Sequence, residues 1–209
     1  MSIIDKAIRD AVASGLEGID HTVLKMNKDK QWDLKKYTDK DSDGGNDRAY
    51  KAACAYFATI LNLETLSGKD LDPNALFQPC VDAGAILKGN AYINSYEKIA
   101  QVAGVKVKRF VAEYIEGRVE KMCELLRSGV PLVIYIGAPS DLDHVEACYG
   151  YITGKFDTMF FVQDPGWQSD THIGEDLRML HFEGGVRKYS VWKSPPVQRK
   201  AYKFGYFEV

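Results

Sequence analysis

No stretch of this 209-residue chain approaches the ~20 consecutive apolar residues that a membrane-crossing helix needs. Cysteine is scarce: Cys54, Cys80, Cys123 and Cys148 stand far apart, in no CxxC pair and near no histidine cluster. That pattern fits free thiols in a reducing compartment better than it fits disulfides or a zinc site. An excess of either charge is also missing, since 27 Lys and Arg residues are balanced by 29 Asp and Glu residues. A net charge of −2 spread along the chain leaves no footprint for nucleic acid and no polybasic membrane anchor. Internal repeats and low-complexity segments are absent as well. The N-terminal "MSIIDKAIRDAVASG" alternates charges with aliphatics at helical spacing, unlike the continuous apolar stretch of a signal peptide. The protein is therefore expected to be cytoplasmic as synthesised, with no metal or organic cofactor.

What the chain does have is enough apolar residue, 45% of the total, for one well-buried core. Residues 1–45 read as an N-terminal extension: a short helical stripe through Ile4, Ile8 and Val12, then a polar, turn-rich connection ending in "DKDSDGGND". From Asn46 a helix is expected, opened by Asn/Asp capping chemistry, rich in alanine and stopped at Gly68. Pro73 marks the first turn of a second helix, and "SYEKIAQVAG" and "EGRVEKMCELLRSG" read as two more. The pattern then changes. "VPLVIYIG", "HVEACYGYI", "DTMFFVQD", "VRKYSVWK" and "AYKFGYFEV" are short runs rich in Val, Ile, Phe and Tyr, bounded by Gly, Pro and Asp. Helices first and strands second predict an α+β domain over residues 46–209, with a helical half packed on an antiparallel sheet.

The strand "HVEACYGYI" opens on His144 and the next one closes on Asp164, with Gly154 midway. A tight turn at Gly154 would bring the two ends together. A histidine oriented by an aspartate is two thirds of a cysteine hydrolase site; the missing third is a thiolate. Glu146, two residues along the same strand face, is a distant second as partner of His144, because i and i+2 side chains stand ~7 Å apart. His21, His172 and His181 show no metal-ligand spacing.

Several segments here resemble the papain-like cysteine peptidases of the bacteriocin-leader-processing, or double-glycine, type. They are "GVPLVIYIG", "HVEACYGY", "VQDPGW" and, upstream, "CAYFATILNLETLSGKDLDPNAL". The resemblance runs over residues 54–167 and implies a papain-like fold. It assigns Cys54 as nucleophile, His144 as general base and acid, and Asp164 as the orienting residue. Asn46 becomes a candidate oxyanion donor, and Trp167 a wall of the substrate groove or a cap on the core. The implied substrate is a peptide, in particular the peptides of bacterial cell walls, reached by phage or secretion delivery. Two features depart from the family's pattern: Ala55 follows the cysteine where glycine is usual, and Arg48 stands where an oxyanion glutamine is kept.

Where the nucleophile helix starts decides between two readings. If it starts near Cys54, the thiol lies at the positive end of the helix dipole and the protein is a peptidase or amidase. If it starts at Asn46, Cys54 is buried two turns inside, and the domain is an inactive relative that binds a peptide or a protein. An acyltransferase of the same fold is a third possibility. The remaining cysteines read as core residues on helix and strand faces.

Overall fold

The computed structural model describes residues 20–25, 53–87, 92–138, 141–153, 158–163, 177–181, 186–187 and 199–209. In chain order the described elements are β1 (Asp20–Val23), α1 (Cys54–Ser67), α2 (Pro73–Asp82), α3 (Tyr96–Val102), β2 (Arg109–Tyr114) and α4 (Val119–Arg127). They continue with β3 (Leu132–Ala138), β4 (Asp141–Thr153), β5 (Thr158–Gln163), β6 (Leu177–His181), β7 (Val186–Arg187) and β8 (Arg199–Glu208). The fold is α+β, and every described strand pairing is antiparallel.

Local chemistry explains the helices. α1 begins at Cys54, not at Asn46; Ala53 ahead of it supplies no side-chain cap. Gly68 ends it in the left-handed region, φ 65°, where its N–H reaches the Glu64 carbonyl, a conformation that other residues adopt at a cost. The helix is buried nearly all round, from Tyr56 to Glu64, as befits a central helix. At α2 the Asp72 carboxylate accepts from the Asn74 N–H and Pro73 occupies the first turn, a placement that loses no hydrogen bond. Ser95 caps α3 by accepting from the Lys98 N–H.

The sheet order is β2-β8-β3-β4-β5-β6, with β1 added to β4 and β7 to β8. β4 is long. Its first half pairs with β3 and its second half with β1, Val23 standing opposite Gly150. A strand thus enters the sheet from within the stretch read as an N-terminal extension. Gly150 is what permits it, because a Cβ there would lie 2.5 Å from the Thr22 carbonyl oxygen.

Both faces of the sheet are covered. On one, α1 packs Ala58 and Leu61 onto Val133, Val145, Ala147 and Tyr149. α2 and α3 extend that layer around Tyr56, Phe77, Cys80 and Ile99. On the other face, α4 sets Met122, Cys123 and Leu126 against Ile134, Ile136, Cys148 and Phe204. Central strands buried on both sides in this way read as near-continuous apolar runs.

Candidate active site

Cys54 is the first residue of α1 and is partly exposed. The first N–H groups of a helix have no partner inside it, and no side chain at Ala53 takes them up. The thiol therefore sits at the positive end of the helix dipole, where negative charge is favoured. The other three thiols are sealed in. Burial pushes Cys80 and Cys123 up to about 11 and drives Cys148 higher still. Of the four thiols Cys54 alone is partly exposed. The expectation that the other three are packing residues holds: each lies in a core cluster, Cys80 on the buried side of α2 and Cys123 and Cys148 on the α4 side of the sheet.

The register of β4 fixes which way its side chains turn. His144 stands opposite Ile136 and Glu146 opposite Ile134, and both isoleucines belong to the core beneath α4. Val145, opposite Tyr135, belongs to the core beneath α1, where Cys54 packs. Residues directly opposite one another share a face. His144 and Cys54 therefore lie over opposite faces of the sheet, and the described structure does not bring them together. What it does bring together is His144 and Glu146: Nε2 and Oε1 are 3.9 Å apart, the glutamate fully buried and the imidazole partly exposed. The ~7 Å separation expected for i and i+2 applies to the backbone repeat; two long side chains leaning toward each other close nearly half of it. Asp164, Asn46 and Trp167, and the turn expected at Gly154, lie outside the described residues.

Tyrosines, not histidine, stand beside Cys54 on its own face. Tyr96, the first residue of α3, and Tyr202 of β8 pack on the same apolar cluster as Cys54. Tyr135 of β3, part of that cluster, donates a hydrogen bond of 2.7 Å to the Tyr96 hydroxyl oxygen. The Tyr96 ring is stacked on Phe110 with centroids 3.9 Å apart and planes 10° from parallel. Burial pushes the Tyr96 hydroxyl up to about 12, against the bond from Tyr135 and with the help of a thiolate at Cys54. Burial likewise raises Tyr135, and Tyr96 beside it adds to the rise. The Lys203 ammonium lies 5.6 Å from the centre of the Tyr135 ring. Sequence reasoning missed this cluster. Its members come from three elements, and only Tyr135, in the middle of "VIYIG", sits on a strand facing the helix of the proposed nucleophile.

Among the described residues no group of three His, Cys, Asp or Glu side chains is placed to hold a metal ion.

No family model matches the chain, and no curated protein matches it. Its likeness lies in structure. UfSP from C. elegans superposes with a TM-score of 0.51 at 18% identity, over 90% of this chain and 34% of that one. The chain thus spans about a third of the length of that protein. The α+β architecture found here, helices packed on an antiparallel sheet, is papain-like.

Proposed function

We propose that the protein is a papain-like cysteine peptidase or amidase with Cys54 as its nucleophile. One observation carries the reading: α1 begins at Cys54, with the thiol partly exposed and the first-turn amides uncapped by a side chain. In this mechanism the sulfur attacks the scissile carbonyl carbon, and the first-turn N–H groups receive the oxyanion. The C–N bond breaks, the amine leaves with a proton, and water hydrolyses the thioester. His144 is the proton carrier and Asp164 its orienting residue, as the likeness of "HVEACYGY" and "VQDPGW" to the double-glycine peptidases implies. In the described register His144 stands opposite Ile136, on the α4 side of the sheet, so its role as proton carrier is supported by that likeness and not by the register. Cell-wall peptides are the substrate class to assay first, on the strength of the same likeness.

A second reading is favoured by the register as it stands. With His144 turned to Glu146 and away from Cys54, the domain is an inactive relative that holds a peptide without cutting it. Labelling of the native protein by a chloroacetamide or epoxide probe, with hydrolysis of a peptide panel in parallel, separates the two. The peptidase reading expects labelling at Cys54 and turnover lost in both Cys54→Ala and His144→Ala. A thiol that ignores the probe until the protein is denatured overturns it. Labelling without turnover favours the binding domain.

A further inference from the structure

We propose that the hydroxyl of Tyr96, held in place by the hydrogen bond it accepts from Tyr135, donates a hydrogen bond to the sulfur of Cys54 when that sulfur is negatively charged. This deepens the reading of Cys54 as nucleophile and rests on it.

The argument begins from what a thiolate needs. Burial alone works against it, as Cys80 and Cys123 show. It is stabilised by a helix N-terminus, a nearby cation or donated hydrogen bonds. Cys54 has the first. On the face of the sheet that α1 covers, the described polar side chains include Tyr96 from α3, Tyr135 from β3, Tyr149 from β4, and Tyr202 with Lys203 from β8.

The direction of the tyrosine hydrogen bond matters. Tyr135 donates and Tyr96 accepts, so the Tyr96 proton is not spent on Tyr135 and remains available to another acceptor. A hydroxyl that resists ionisation as strongly as Tyr96 does stays a donor across the pH range in which a cysteine works, and it is unsuited to act as a base. Tyr96 and Cys54 pack on the same cluster beneath α1, and a thiolate at Cys54 opposes ionisation of Tyr96.

The donor is also rigidly mounted. Its ring is stacked on Phe110, and the Phe110 N–H donates to the Glu97 carboxylate at 2.8 Å, tying the start of β2 to the residue next to Tyr96. Ser95, on the other side, caps the same turn. A donor fixed on both flanks costs little reorganisation when charge appears on the sulfur. Tyr96 would thus be a positioning and acidifying residue for the nucleophile, with Tyr135 acting through it.

The test is the pH dependence of iodoacetamide alkylation at Cys54, followed by mass spectrometry in the full-length chain. Tyr96→Phe keeps the ring stack and removes the hydroxyl. It should raise the alkylation midpoint by about one pH unit, slowing the reaction near neutrality by about tenfold. Tyr135→Phe should move the midpoint in the same direction by less, since Tyr96 keeps its proton but loses its anchor. A Tyr96→Phe midpoint equal to that of the unsubstituted protein overturns the proposal. If that variant melts well below the parent, Tyr135→Phe decides: an unchanged midpoint there overturns it as well. Peptide hydrolysis measured alongside keeps the two ideas apart. A midpoint shift without any Cys54-dependent turnover supports the tyrosine donor and sinks the peptidase; turnover without a shift does the reverse.

Discussion

The hydroxyl of Tyr151 lies 2.5 Å from Oδ2 of Asp20, although 131 positions separate them in the chain. Arg127 Nη2 reaches the same oxygen at 2.7 Å, so one carboxylate fastens β1 to both β4 and α4. The Tyr151 hydroxyl and then the Arg127 guanidinium hold Asp20 below its ordinary value of 3.8. Because the folded value is depressed, the fastening is complete above 3.8 and is lost as pH falls through the lowered value. Hydrogen exchange at the Leu24 amide, bonded to the Tyr149 carbonyl, should therefore lose protection on acidification before the centre of β3 does. In Asp20→Asn the protection should be weaker at neutral pH and free of that acid step; an acid step that persists in this variant rules Asp20 out as its source.

Two glycines are demanded by close approach. At Gly150 an added Cβ would meet the Thr22 carbonyl oxygen at 2.5 Å, and at Gly205 it would meet Phe110 Cζ at 2.2 Å. Alanine at either site should cost about 1–3 kcal/mol by denaturant unfolding. The two differ in their remedy. A shorter side chain at Phe110 should restore part of the loss at Gly205, since the obstacle is a ring, whereas the Thr22 obstacle at Gly150 is backbone. Equal losses at Gly205 with and without Phe110→Leu would show that the ring is not the obstacle.

Beneath α1, the Tyr149 hydroxyl and both polar atoms of the Asn62 amide are buried with no hydrogen-bond partner among the described residues. An orphaned buried polar group costs about 1–3 kcal/mol, and removing it with its shape kept is near neutral or favourable. Tyr149→Phe and Asn62→Leu are thus expected to leave thermal stability unchanged or raised. A loss of more than about 2 kcal/mol in either would mean that these groups are satisfied in solution.

Cys80 and Cys123, raised to about 11 by burial, should resist alkylation at a mildly alkaline pH until denaturant is added, together with the fully buried Cys148. A native mass spectrum showing a single adduct, absent from Cys54→Ala, is the expected outcome. Adducts on any of the other three would show that the core opens on the timescale of labelling.

The sequence carries the α+β order, and it carries α2 through α4, because Asp72 with Pro73, Ser95 and the apolar stripe of Met122, Cys123 and Leu126 are local signals. It does not carry β1. "DHTV" is four residues long, and what makes it a strand is Gly150, far along the chain. The start of α1 is hidden because Asn46 and Asp47 have the chemistry of a cap, whereas Ala53, the residue that actually precedes the helix, has none. The facing of His144 is illegible for a different reason. "HVEACYGY" alternates, so His144 and Glu146 visibly share one face and Val145 and Ala147 the other. With both faces of β4 buried, composition cannot say which of them meets the cysteine helix.

The seat of β1 on the far half of β4 has a practical meaning for anyone trimming the chain. A fragment beginning at residue 46, the boundary that composition suggests, would strip Gly150–Thr153 of the partner they have in Asp20–Val23. The backbone groups uncovered there would form an open sheet edge in the middle of an aromatic-rich strand, an invitation to pair with the next molecule. Aggregation of such a fragment would report a missing strand and would say nothing against the fold.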